Sequence, residues 1–180
     1  MSILETYNQT NCQSDKENTH KYISNFYDPH VGHMKDKNIN ILEIGIQCGH
    51  SLKLWEEYFT NANIYGIDVW DQLQQSYGPR VHTKFINAYS DLALEYVKNL
   101  NIKFDIIIDD GPHVVETQEY VCKNYKQFLN DGGILIIEDC HINTFSILQK
   151  MNPEFTCLNL LDVAPAYGDS IILYYKKADE

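Results

Sequence analysis

The sequence is short of arginine. Arg80 is the single arginine among 14 basic residues, against 25 acidic ones, and the formal charge is −11. Such a surface repels phosphate backbones and anionic headgroups, which argues against nucleic acid or a membrane as the main partner. No apolar run approaches the roughly 18 residues of a membrane span. Met1-Ser2-Ile3-Leu4-Glu5 has neither a charged n-region nor an apolar h-region, so no signal peptide is expected. The cysteines are few and odd in number: Cys12, Cys48, Cys122, Cys140 and Cys157, with no C-x-x-C spacing. They point to free thiols in a reducing, cytoplasmic compartment. There is no internal repeat, low-complexity tract or Pro/Gly-rich linker.

What is present is one domain's worth of chain, 180 residues of which 44% are hydrophobic. The first forty residues are polar and rich in His, Asn and Tyr. They predict a short helix or two with loops and no strong apolar period. From Asn40 onward apolar strands alternate with amphipathic stretches. Strands are expected near 41–46, 63–68, 84–86, 104–108, 134–137, 155–160 and 170–175. Helices are expected over 50–59, 91–100, 115–129 and 143–151, with a loop over 70–82 and a turn at Asp131-Gly132-Gly133. Strands apolar on both faces and separated by helices predict a parallel sheet covered on both sides. No full helix separates the last two, which predicts an antiparallel end. The expected fold is therefore α/β, a Rossmann-like seven-stranded, mostly parallel sheet with helices on both faces and the last strand antiparallel. Ligands of such sheets bind beyond the carboxyl ends of the strands, near the switch point.

The residues that bear chemistry all fall at those ends. Glu43-Ile-Gly45 runs from a strand to Gly49 at the start of a helix, a turn that lets backbone approach a ligand. It lacks the third glycine of a pyrophosphate-binding fingerprint, and an acidic residue beside it suits a cationic ligand better. Asp68, 23 residues after Gly45, ends the next strand, where a carboxylate accepts from ribose hydroxyls; taken alone it fits a turn or a cap equally well. Asp109-Asp110-Gly111-Pro112-His113 and Glu138-Asp139-Cys140-His141 end two strands expected to be neighbours. Carboxylates so close repel unless a cation sits among them, and oxygen ligands suit Mg²⁺, Mn²⁺ or Ca²⁺. His113 lies within reach as a general base. The plainer alternative is two solvated strand ends that cap the following helices. Trp70, just after Asp68, is a candidate for an adenine pocket.

Through these motifs the sequence resembles the class I S-adenosylmethionine-dependent methyltransferases, and more closely the metal-dependent sugar O-methyltransferases of the mycinamicin and macrocin type. The matching stretches are Ser14-Asp15-Lys16 with His20 and Tyr22, Leu42 to Gly49, Tyr65 to Asp68, Ile108 to His113, and Gly132-Gly133 to Asp139. The resemblance implies that Glu43, Gly45, Gly49, Asp68, Tyr89 and Asp109 serve S-adenosylmethionine. Asp110, Glu138 and Asp139 hold Mg²⁺ or Mn²⁺, and His113 is the catalytic base. The acceptor is a small molecule with a hydroxyl, a sugar by family. Residues 1–38 become an acceptor lid, 39–180 the methyltransferase domain, and a homo-oligomer is an open expectation. Two departures stand out. Where the family often has an acidic residue after strand three, near the adenine, the segment reads Asn87-Ala88-Tyr89-Ser90-Asp91, and Pro112 replaces a small polar residue. Antibiotic-pathway members often carry an additional N-terminal domain with no match here, so no macrolide acceptor is carried over. Two rival readings use the same residues: a cofactor-binding protein without catalysis, and a metal-dependent hydrolase. A nicotinamide-dependent reductase lacks its glycines.

Overall fold

A computed structural model describes residues 1–178. The chain opens with short helical pieces: α1 (Ile3–Gln9), α2 (Asp15–Asn18), a π-helical turn (Ile23–Tyr27) and α3 (Asp28–Val31). The α/β alternation follows as β1 (Asn40–Ile44), α4 (His50–Tyr58), β2 (Asn63–Asp68), β3 (Val81–Phe85), α5 (Asp91–Asn99), β4 (Phe104–Asp109) and α6 (Val115–Asn124). It ends with β5 (Leu129–Ile137), α7 (Phe145–Met151), β6 (Thr156–Asn159) and β7 (Ile171–Lys176). The seven strands form one sheet in the order β3-β2-β1-β4-β5-β7-β6. β7 alone runs against the direction of the other six strands, as expected. The order reverses between β1 and β4, so the crevice above those two strands is the switch point.

Period-2 alternation divides the core. Ile41, Ile64, Ile106, Ile108 and Ile136 face one way, with α1, the π turn and α4. Leu42, Ile44, Ile67, Ile107, Leu135 and Ile137 face the other, with α6 and α7. In register, Ile44 lies beside Asp109, and Asp109 beside Ile137. The pleat therefore turns Glu43, Asp110 and Glu138 toward the first face and Asp109 toward the second. The paired main chain continues past the strand ends, since Asp110 N–H donates to Ile44 O at 2.8 Å and Glu138 N–H to Asp109 O at 3.0 Å.

Three local expectations are corrected. The third strand is Val81–Phe85 rather than 84–86, because pairing of Val81 with Ile64 sets the register of an edge strand with little apolar burial. The helix expected to 129 stops at Asn124 and gives way to a 3₁₀ turn, Lys126–Phe128. Asp131-Gly132-Gly133 lies inside β5, where the register jumps from Phe104 opposite Leu129 to Ile106 opposite Ile134; Gly132, at φ 71°, takes up the bulge.

The polar first forty residues hold part of the core. Tyr22, Ile23, Phe26, Tyr27 and Val31 are each at most 1% exposed, and their burial stabilises the fold by roughly 1.5–3 kcal/mol per large side chain.

Candidate active site

A cavity of about 680 Å³ opens above the switch point. Its walls are the turn from Gly45 to Gly49, Asp68, the loop after β3 including Tyr89, the loop from Asp110 to His113, and Gln13 to Asp15. Gly45 is required twice. Its φ is +81°, and a Cβ there would lie 1.9 Å from Asp110 O. Its missing Cβ thus lets the β1 and β4 loops meet, while Gly45 N–H donates to Ile67 O of β2. Asp68 fixes the same turn: its Oδ2 accepts from Ile46 N–H and Gln47 N–H at 2.9 Å each, and its Oδ1 from Trp70 N–H. The Trp70 ring is 65% exposed and lies in a side depression with Gln47 and Gln72, outside the main cavity.

The carboxylates divide into those on the cavity and those behind its wall. Glu43 is fully buried and does not line the cavity; its Oε2 accepts from Trp55 Nε1 at 3.0 Å, and its Oε1 lies 3.4 Å from Lys16 Nζ. Asp109, on the opposite face, accepts from the Tyr89 hydroxyl at 2.9 Å. Burial pushes its carboxyl up to about 7, the Tyr89 bond and His113 opposing.

Asp110, His113 and Asp139 come together. His113 Nε2 lies 3.2 Å from Asp110 Oδ1 and 3.4 Å from Asp139 Oδ2. The three offer ligand atoms within 4.8 Å of one another, and the carboxylate oxygens of Asp110 and Asp139 suit a divalent cation, with His113 beside it. Burial and the Asp110 charge raise Asp139 to about 6, against His113 and His20. Burial disfavours the imidazolium of His113, but Asp110 and Asp139 outweigh it and push the group up to about 9. His113 and Asp139 hold φ of 58° and 53°, a left-handed conformation that costs a non-glycine residue on the order of 1–2 kcal/mol. Glu138, the third residue of the expected metal set, is engaged differently. One of its oxygens accepts from Lys16 Nζ and the other from the Tyr27 hydroxyl.

Residues to which the sequence reading gave no role complete the site, all from the N-terminal segment. Lys16, 1% exposed, also reaches Asp110 Oδ2 at 2.6 Å. Burial works against its charge, but Asp110, Glu138 and Glu43 outweigh this and hold the ammonium well above the ordinary lysine range. The Tyr22 hydroxyl donates to Asp139 Oδ1 at 2.7 Å. In the π turn Asp28 N–H donates to Ile23 O, five residues back. That wider turn lets Tyr22 and Tyr27, five apart, address neighbouring carboxylates; an α-helix would rotate them apart by about 140°. The only signal for these residues was the match over Ser14-Asp15-Lys16, His20 and Tyr22.

Fold and cavity define a Rossmann-like α/β protein with a cavity at the switch point. A methyltransferase-domain family model matches residues 42–140, and the chain belongs to that family. Among curated proteins it is 29% identical over 76% of its length to the 8-demethyl-8-α-L-rhamnosyl tetracenomycin-C 2′-O-methyltransferase of Streptomyces olivaceus, covering 37% of that protein. It is 28% identical over 63% of its length to the mycinamicin VI 2″-O-methyltransferase of Micromonospora griseorubida, covering 30% of it. The chain thus spans about a third of the length of the curated relatives it matches. Among solved structures, MycE methyltransferase from the mycinamycin biosynthetic pathway, in complex with Mg and SAH, superposes with a TM-score of 0.77 at 19% identity. The match covers 99% of this chain and 55% of that one, and carries the fold alone. No helix among the described residues is long and apolar enough to cross a membrane.

Proposed function

We propose that the chain is the catalytic domain of an S-adenosylmethionine-dependent O-methyltransferase that uses Mg²⁺ or Mn²⁺ and acts on a hydroxyl of a sugar or another small diol. One observation carries this reading: Asp110 and His113 line the same cavity as the Gly45–Gly49 turn and Asp68, and buried Asp139 clusters with them from behind its wall. The sugar O-methyltransferases among its relatives support the acceptor class.

Bound S-adenosylmethionine would supply an electrophilic methyl group, and a bound divalent cation would lower the pKa of the acceptor hydroxyl. Asp110 and Asp139 would hold the cation. Asp68 and the Gly45–Gly49 turn would hold the cofactor's ribose and methionine ends, with Tyr89 at the far wall. Glu43 and Asp109 act from behind, Glu43 through Lys16 and Asp109 through Tyr89. His113 Nε2 takes the acceptor proton. Between the carboxylates of Asp110 and Asp139 it keeps its own proton at neutral pH, so it becomes a base only once a further cation offsets their charge. The main contribution of the site is positioning and exclusion of water. The N-terminal segment, which reaches the cavity through Gln13, Ser14 and Asp15, serves as the acceptor-side cover. Five free cysteines fit a cytoplasmic setting.

Calorimetric titration with S-adenosylmethionine in Mg²⁺ and in EDTA, followed by methyl transfer to a panel of sugars and catechols, tests the proposal. Micromolar cofactor binding and metal-dependent transfer are expected, with His113→Ala and Asp139→Ala losing transfer but not cofactor binding. Cofactor binding without transfer to any acceptor would leave a binding protein. Absence of cofactor binding would favour a metal-dependent hydrolase.

A further inference from the structure

The carboxylates at the switch point already contain a cation. Lys16 Nζ contacts Glu43, Asp110 and Glu138 and is closed off from solvent. Asp110 is shared: its Oδ2 binds the Lys16 ammonium, and its Oδ1 faces His113 within the open cluster. Glu138 has both oxygens committed to Lys16 and Tyr27. Glu43 Oε1 has no hydrogen-bond partner and lies 3.4 Å from the ammonium, its nearest compensating charge. A fixed positive charge thus sits on the far side of the carboxylate that a divalent cation would use.

We propose that Lys16 is a positioning residue, a built-in cation that holds Glu43, Asp110 and Glu138 in place and by its charge sets how weakly the Asp110–His113–Asp139 cluster takes a divalent metal. This rests on the metal-site reading above. The consequence is a sign. A residue that only props up the ligands would, when removed, let them scatter and weaken metal binding. A charge that repels the metal across one shared carboxylate would, when removed, strengthen it. At the short separations of this cluster the repulsion is large enough to outweigh some loss of order. The arrangement also explains why three carboxylates can be packed here before any metal arrives.

The test is calorimetric titration of Mn²⁺ into the wild type, Lys16→Met, Lys16→Gln, Lys16→Arg and Asp139→Asn, with thermal midpoints in EDTA and in Mn²⁺. Lys16→Met and Lys16→Gln should bind Mn²⁺ at least about tenfold more tightly than the wild type. Their midpoints should fall in EDTA and recover with Mn²⁺. Lys16→Arg, which keeps the charge, should stay within about threefold of the wild type. Should Lys16→Met fold only with Mn²⁺, the metal has taken the lysine's place, which is the same result. Unchanged or weaker Mn²⁺ binding in both neutral variants overturns the proposal, provided that Asp139→Asn loses binding. A wild type that takes up no Mn²⁺ overturns the metal reading instead. The Lys16 proposal then stands only if Lys16→Met does take it up, and falls if it does not.

Discussion

Asp109→Asn should stabilise the protein, and the gain should grow with pH. Asp109 is 2% exposed, and burial pushes its carboxyl from 3.8 up to about 7. A carboxyl whose folded pKa lies above its unfolded one binds its proton more tightly in the folded chain. Stability is therefore lost as pH rises from the unfolded value through the folded one, and the loss is complete above it. A shift of about three units corresponds to about 4 kcal/mol at alkaline pH, of which about 1 kcal/mol has developed by pH 4.5. Asparagine keeps the shape and an oxygen to accept from the Tyr89 hydroxyl, now at 2.9 Å, but carries no charge to desolvate. Its amide N–H₂ needs partners and brings a cost of its own, which does not vary with pH. Urea unfolding of both proteins in EDTA at pH 4.5 and 8.5 separates the two effects. The advantage of the variant should be about 3 kcal/mol larger at the higher pH. A difference independent of pH, or one that shrinks as pH rises, would refute the account of Asp109 as a buried and largely uncompensated acid.

Three further outcomes follow from the geometry. In metal-free protein the imidazole resonances of His113 should titrate near 9 by NMR; a folded pKa above the unfolded one means that its ion pairs contribute fully below about 6.5 and are lost as pH rises through about 9. A titration below 7 would break the ion-pair assignment. Gly45→Ala should cost at least about 3 kcal/mol in urea unfolding, because a Cβ meets Asp110 O at 1.9 Å in a left-handed conformation; a near-neutral result would mean that the β1 and β4 loops are not locked together. Arg80→Lys should cost about 1–2 kcal/mol by the same assay, since the guanidinium donates to the carbonyls of Glu56, Phe59 and Ala62 and one ammonium cannot match that fork. A cost like that of an exposed substitution would show that these three bonds are not kept in solution.

The sheet was legible where strands are buried on both faces. Ile106–Ile108 and Ile134–Ile137 form uninterrupted buried apolar runs, with Ile41–Leu42 and Ile64 buried beside them, as expected of a doubly covered parallel sheet. Legibility fails at the edge and at irregularities. β3 offers His82 and Lys84 to solvent and has only pairing with β2 to define it. In β5, Asp131-Gly132-Gly133 has the composition of a turn, yet the neighbouring strand absorbs it as a bulge. That outcome depends on a partner two elements away, which no local window contains.

The N-terminal segment was misjudged for a chemical reason that also explains the site. Tyr22, Ile23, Phe26, Tyr27 and Val31 follow a helical spacing, but counted by polarity the tyrosines, His30 and Pro29 hide it. Tyrosine has an apolar body and a polar tip, and here both ends are used. The rings fill the core, and the hydroxyls of Tyr22 and Tyr27 end on Asp139 and Glu138. A leucine at either position would pack but would leave a buried carboxylate short of a donor, at a cost of about 1–3 kcal/mol. The strand-end acids were visible because they occur in pairs. Their partners were not, because a lysine in a polar stretch looks like surface until the fold places it against three carboxylates. The segment that looked least structured thus supplies the donors to Asp139 and Glu138 and a buried ammonium between three of the acids, and core and site cannot be separated along the sequence.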